Sequence, residues 1–476
     1  MTEPARPLHY LDIGELAGMI RTGSVSSRDV TRALLERIAA LDGDLHAYAQ
    51  VMADAALAQA AAADRQIAAG GWRGPLHGVP VAVKDLFDIE GWPTRAGMRL
   101  RSQPAAGRDA TVVRRLKEAG AVLIGKPELT EGAYSDHHPR VVPPRNPWRD
   151  DHWPGISSSG SGVAVAAGMA YGSLASDTGG SIRWPSAANG LTGLKPTWGR
   201  VSRHGAAELA ASLDHVGTMA RSAVDAGILL GAIAGADPDD PTASLAPVPD
   251  FTAAATAGAG AAAGAGLAGF RIGVDAAWNR DDVDAGTRQV LADALATFAA
   301  LDAEIVDVRF PAVAQAIADW VPTCAMEAAV AHQARYHAMR DDYGAVLAAV
   351  IDAGQSLSGT DYQAILLRRA AFRGRVDRVM ATVDVLLTPV QPFAPLTLAQ
   401  IRTLGAQPDL IARLQRYTCP FNLSGHPTLT LPGGFTADGM PVGMQLVAPR
   451  WREDALVRAG AAFQARTAWH RRHPEM

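Results

Sequence analysis

Between residues 79 and 181 short apolar runs alternate with helical patterns, and that alternation confines the chain to the α/β class. Residues 79–83, Val-Pro-Val-Ala-Val, read as a short strand that ends at Lys84. A helical pattern capped at Asp109 runs through Val112, Val113 and Leu116 to Gly120, and residues 121–125 are apolar again. Buried strand, helix and buried strand in succession describe a sheet covered by helices. Residues 164–170 read as a tightly packed small-residue helix and 171–176 as the next strand, ending just before Gly179-Gly180-Ser181. Pro185 suits the first turn of a further helix, which would set Ser181 at a positive helix end. The expectation is one large α/β/α domain whose central sheet is mixed, mostly parallel and twisted.

The rest of the chain fits around that core. Residues 1–70 read as N-terminal helices, the first capped at Asp12 with Glu15 three on and stopped at Gly23, the second beginning near Ser27, the third spanning 51–69. Residues 71–250 form the core that carries Lys84 and the glycine-serine segments. The alanine- and glycine-rich stretch 251–269 reads as a linker or loop. Residues 270–476 form a C-terminal half, with strands at 270–274, 384–389 and 428–431, a closing helix at 454–467, and a helical, substrate-side region at 312–381. In that region Trp320, Met326, Tyr336, Met339, Tyr343 and Leu347 could face a pocket, but core is their expected place.

Of the 476 residues 48% are hydrophobic and 19% charged, too apolar for disorder, and no apolar run is long enough to span a bilayer. The start, Met-Thr-Glu-Pro-Ala-Arg, lacks a basic segment followed by an apolar one, so the cytoplasm is the expected compartment. A net charge of −4 and scattered basic residues favour a small-molecule partner over nucleic acid or membrane. Cys324 and Cys419 stand apart and read as buried thiols rather than a disulfide or zinc pair. No metal or cofactor is expected.

A serine behind two glycines can approach a carbonyl closely while neighbouring backbone N–H groups face the developing oxyanion. It still needs a base within hydrogen-bond reach. Histidine is the usual one, yet none of the 13, including His137, His138, His204 and His215, lies in the glycine-serine segments. Lys84 is the alternative, provided burial keeps it neutral; lowering its pKa from about 10.4 toward 7–8 corresponds to about 4 kcal/mol against the charged form. A plain structural role, with the ammonium paired to Asp85, remains open. The run Gly155-Ile-Ser157-Ser158-Ser159-Gly160-Ser161-Gly162 is not a phosphate loop, because serine stands where lysine is required, and it lacks the third glycine of a dinucleotide site.

Together these residues resemble the amidase signature family of serine hydrolases. Gly78-Val-Pro-Val-Ala-Val-Lys84-Asp85, Pro154-Gly-Ile-Ser157-Ser158-Ser159-Gly160-Ser161, Asp177-Thr-Gly-Gly-Ser181-Ile-Arg183-Trp184-Pro185 and Gly193-Leu-Lys-Pro-Thr197 match its motifs, and the likeness covers nearly the whole chain. Phe421-Asn422-Leu-Ser-Gly425 and Gly439-Met-Pro-Val-Gly443 resemble its C-terminal strands. The resemblance implies a Ser-Ser-Lys triad: Ser181 as nucleophile, Ser157 after a cis peptide bond as proton relay, Lys84 as ultimate base. It implies an oxyanion hole from the backbone N–H groups of Thr178, Gly179, Gly180 and Ser181, support from Ser158, Ser176, Asp177 and Arg183, and substrate contacts from Tyr134, Ser135 and Trp184. Ile156 and Ser159 replace family glycines, and Glu128 stands where asparagine is frequent, which bears on loop shape and substrate fit.

Trp184 implies an apolar or aryl face for the substrate's acyl group. The expected activity is hydrolysis of apolar or aromatic carboxylic amides through an acyl-enzyme, extending to carbamates (urethanes) and esters, by a monomer or homodimer. The alternative is the glutaminase subunit of a tRNA-dependent amidotransferase, to which Arg200-Val-Ser-Arg-His-Gly205 and Ser212-Leu-Asp-His-Val-Gly217 are also similar. A non-catalytic binding protein of the same fold is the third reading, opposed by the intact Lys84, Ser157 and Ser181.

Overall fold

Eleven strands, joined edge to edge in a single sheet, organise the computed structural model, which describes residues 6–259 and 266–476. In chain order they are β1 (Tyr48–Val51), β2 (Pro80–Val83), β3 (Val122–Pro127), β4 (Gly172–Asp177), β5 (Thr192–Lys195), β6 (His215–Ala220), β7 (Arg271–Val274), β8 (Glu304–Asp307), β9 (Val385–Pro389), β10 (Thr428–Phe435) and β11 (Pro441–Val447). Their spatial order is β1-β3-β2-β4-β6-β5-β10-β11-β9-β7-β8. Every residue of the central strands β2 to β6 is buried, whereas the edge strand β8 is largely exposed. Helices cover the sheet, and the whole is one α/β domain with one dominant core. Among the described residues no helix is long and apolar enough to cross a membrane.

The sheet is mixed, but not mostly parallel. Only β2–β3, β2–β4, β7–β8 and β7–β9 pair in parallel; the other six pairings are antiparallel. Continuous apolar runs report that both faces of a strand are covered, and helices here cover antiparallel strands as fully as parallel ones.

Several local signals act as expected. The Asp12 N–H donates to the Glu15 carboxylate at 2.9 Å at the start of Ile13–Arg21, and Gly23 beyond its end has φ 73°. Four differ. Residues 48–51 within the N-terminal helical region form β1, antiparallel to β3. The helix Thr111–Glu118 takes Ala110 as N-cap, and Asp109 instead pairs with Lys117 at 2.7 Å. Residues 421–424, expected in a strand, belong to the helix Cys419–Ser424, ended by Gly425 at φ 75°. The stretch expected as a linker begins with a helix, Phe251–Ala259; the remainder of that stretch up to 265 lies outside the described residues. This helix packs on Glu453–Arg466, so closely that a Cβ on Gly258 would fall 2.1 Å from the Arg458 carbonyl oxygen. Tertiary packing outweighs the low propensity of its glycine.

Candidate active site

The parallel neighbours β2 and β4, paired through Val83 and Leu174, carry Lys84 and Ser176 to the same end of the sheet. Lys84 is wholly buried there. Its Nζ lies 2.8 Å from Ser157 Oγ, 2.8 Å from Ser158 Oγ and 2.9 Å from Ser176 Oγ. No carboxylate among the described residues pairs with it: the adjacent Asp85 binds Lys126 at 2.8 Å. Burial pulls the Lys84 ammonium down to about 7, with the charges of Asp177 and Asp214 working in the opposite direction. A lysine ringed by three hydroxyls donates to all of them when charged. When neutral it offers a lone pair. The Ser158 hydroxyl donates to the Ser176 carbonyl at 3.2 Å, which leaves its oxygen free to accept from Lys84.

Ser157 follows a cis peptide bond from Ile156, and its carbonyl accepts the Thr130 N–H at 3.2 Å. Ser181 sits just ahead of the helix Arg183–Ala188. The two serine segments touch through the Ser158 N–H and the Ser181 carbonyl, 3.4 Å apart. The Ser181 hydroxyl itself makes no hydrogen bond to another described residue.

The loop between β4 and that helix is fixed from three directions. Asp177 accepts the N–H groups of Gly180 (2.9 Å) and Ile182 (3.0 Å) together with Arg183 Nη2 (2.8 Å), and Arg183 reaches on to the Thr418 carbonyl. Burial acts to raise the Asp177 carboxyl, but Arg183, Lys195 and Asn422 more than offset it and hold it well below its ordinary value. Thr178 donates its hydroxyl to Asp214 at 2.6 Å, and its carbonyl accepts Trp320 Nε1 at 2.9 Å. Each glycine lies against an indole. A Cβ on Gly179 would fall 2.5 Å from Trp320 Cζ2, and one on Gly180, at φ 145°, 2.6 Å from Trp184 Cδ2. The glycine pair is therefore required by its two tryptophan neighbours as well as by access to the serine.

One N–H expected to face the oxyanion is already bonded. The Gly180 N–H is committed to Asp177, whereas the N–H groups of Thr178, Gly179 and Ser181 make no such bond among the described residues. Ser135 spends its hydroxyl on the adjacent Asp136 at 2.5 Å. Trp184 packs with Trp153, Ala187, Val390 and Leu414, bordered by the half-buried Ile156, Phe393, Ile401 and Leu404. Of the histidines singled out, only His137 meets a serine of these segments, Ser159, at 3.0 Å; burial pushes it down to about 4, so it stays neutral. Glu128 pairs with Arg99 at 2.8 Å. Two further residues of the site come from helices remote along the chain: Asn422, noted in a C-terminal motif and expected in a strand, donates to the Asp177 carboxylate at 2.9 Å, and Trp320, expected in the core, donates to the Thr178 carbonyl. Cys324 and Cys419 are buried free thiols.

The family model described as Amidase matches residues 29–457. The chain belongs to the amidase family. It is 47% identical over 465 residues to the protein named "Putative amidase AmiD" in Mycobacterium tuberculosis, covering 98% of this chain and 96% of that one. It is 37% identical to a glutamyl-tRNA(Gln) amidotransferase subunit from Trichlorobacter lovleyi, covering 97% and 98%. Among solved structures it matches native peptide amidase from Stenotrophomonas maltophilia with a TM-score of 0.82 and 30% identity, over 98% of this chain and 99% of the other. This amidase-family enzyme is thus a hydrolase of amide C–N bonds whose fold is shared from end to end with its relatives.

Proposed function

We propose that this amidase hydrolyses apolar and aromatic carboxylic amides through an acyl-enzyme on Ser181. The observation that carries the reading is the wholly buried Lys84, held among the hydroxyls of Ser157, Ser158 and Ser176 with no carboxylate partner. Substrate brings the Ser181 and Ser157 hydroxyls within bonding distance. Neutral Lys84 takes the Ser157 proton as Ser157 takes that of Ser181, and Ser181 Oγ adds to the carbonyl carbon. The N–H groups of Gly179 and Ser181, with that of Thr178, receive the oxyanion. Collapse breaks the C–N bond, and the proton returns through Ser157 to the leaving nitrogen. Water then repeats the sequence on the ester and releases the acid.

The aromatic residues around the glycine pair support an apolar or aryl substrate, and the same chemistry extends to carbamates and esters. Similarity to the amidotransferase subunit keeps glutamine as the second candidate. The segments 200–205 and 212–217 are used within the chain, Arg200 on Glu453 at 3.0 Å and Asp214 on Thr178, so they carry no information about a partner protein. The pure protein assayed with anilides, aliphatic amides, carbamates and glutamine separates these readings. Ser181→Ala should abolish both turnover and labelling by a fluorophosphonate; undiminished labelling would remove Ser181 from its role.

A further inference from the structure

Each N–H from Thr178 to Ser181 shares a peptide unit with the carbonyl before it, and all four of those carbonyls are held. Asn422 Nδ2 donates to the Asp177 carbonyl at 3.0 Å, Trp320 Nε1 to that of Thr178 at 2.9 Å, Cys419 Sγ to that of Gly179 at 3.5 Å, and the Trp184 N–H to that of Gly180 at 2.8 Å. The units are trans, so a carbonyl fixed on one side sends its N–H to the other. Turning a unit over changes ψ of the residue before it and φ of the residue after it. For the units that end at Thr178 and Ser181, that φ belongs to a residue with a Cβ, which disfavours the left-handed side. The unit that ends at Gly180 is tied at both ends, its N–H on Asp177 and its carbonyl on Cys419. The unit between Thr178 and Gly179 has neither restraint: glycine accepts either sign of φ, and the Gly179 N–H makes no hydrogen bond to another described residue. Turned over, it would present a carbonyl oxygen where the oxyanion needs a donor. What holds it is Trp320, whose Nε1–H binds the carbonyl and whose ring lies where a Cβ on Gly179 would fall. The tryptophan is anchored in turn, because Asp319 beside it accepts Arg368 Nε at 2.9 Å and Nη2 at 2.7 Å from the helix Gly359–Met380.

We propose that Trp320 is a positioning residue for amide hydrolysis: its indole N–H latches the Thr178–Gly179 peptide unit so that the Gly179 N–H faces the oxyanion. The proposal rests on Ser181 being the acylated residue. Because Trp320 acts through the Thr178 carbonyl, its contribution falls on the tetrahedral state rather than on substrate binding.

Two probes on the full chain test this: the nitroanilide of benzoic acid for turnover, and trifluoroacetophenone for the oxyanion itself. With the ketone, Ser181 Oγ bonds to the carbonyl carbon, the C=O π pair moves to oxygen and the serine proton leaves through Ser157; the fluorine resonance then shifts as the hemiketal hydroxyl ionises. Trp320→Phe keeps a ring but loses the donor, and benzothienylalanine at position 320 replaces only the indole N–H, by sulfur. In both, kcat for the nitroanilide should fall about tenfold, less than the about 10²–10³ that outright loss of an oxyanion donor costs, with KM within about twofold. The ionisation midpoint of the ketone adduct should rise by about one pH unit, the equivalent of that tenfold. General damage to the site would raise KM and weaken the adduct without moving the midpoint. In the benzothienylalanine protein, an unchanged kcat, or a lower kcat with the midpoint unmoved, would overturn the latch while fluorophosphonate labelling of Ser181 stands. Where the nitroanilide is not turned over, the midpoint alone decides. Labelling that survives Ser181→Ala would overturn the reading of Ser181, and the latch with it.

Discussion

Lys84 and Lys126 are both fully buried, both at the ends of neighbouring parallel strands, and they meet opposite environments. Lys126 finds a buried carboxylate, Asp85 at 2.8 Å, with the Pro93 carbonyl at 2.8 Å and Thr94 Oγ1 at 3.2 Å completing its donors. Lys84 finds only hydroxyls. An ion pair in the interior is stable because each charge neutralises the other, and removing one member leaves the second exposed to its full desolvation cost. Hydroxyls accept from an ammonium but do not neutralise it, so burial is left to favour the uncharged amine. One lysine therefore has a counter-charge within the fold and the other is the base we propose, although nothing in their side chains differs.

Paired substitutions test that contrast most directly. Lys84→Met should lower kcat/KM by about 10³-fold or more with little loss of thermal stability, because it removes a proton acceptor and a costly buried amine together. Lys126→Met should do the reverse, losing about 3–5 kcal/mol in denaturant unfolding as Asp85 is stranded. Equal stability losses in the two variants would erase the distinction. The pH profile sharpens it: with chemistry rate-limiting, kcat/KM should climb through about 7 and level off above, as the Lys84 ammonium loses its proton. Stability should follow the same group. An exposed lysine in the unfolded chain holds its proton up to about 10.4, whereas folded Lys84 releases it near 7. Between these values the unfolded state binds more protons, so wild-type stability relative to Lys84→Met should rise with pH across that window and flatten beyond it. A pH-independent difference would mean that the buried amine keeps its charge. The smallest effect is expected at Asp214, whose negative charge favours the Lys84 ammonium. Asp214→Asn can still accept the Leu209 and Ala210 N–H groups and donate to Thr178, and it should move the acid limb to lower pH.

The motifs proposed as reactive are legible because their signals are local in sequence: Lys84 closes an apolar strand, and Ser181 follows two glycines in the loop after β4. The two tryptophans show where that legibility stops. Trp184 is marked by standing three residues after Ser181, yet its neighbours turn out to be protein side chains. Trp320 reads as a core residue, since a tryptophan among alanines and valines on a helix carries no sign of which loop its ring will meet. Gly180 illustrates the same boundary within a single motif, for its position in the glycine pair suggests an oxyanion donor, and only the folded Asp177 carboxylate reveals that its N–H is already taken.

By itself the sequence determined the α/β class and the loops that carry the three side chains proposed as reactive, because strand periodicity, glycine freedom and side-chain chemistry act over a few residues. Tertiary structure alone decided which buried lysine would lack a counter-charge, which backbone N–H groups stay free, the predominance of antiparallel pairing, and the meeting of Trp320 with Gly179. Each of these depends on groups far apart along the chain, whose encounter is set by the packing of the sheet and its covering helices rather than by any neighbouring residue.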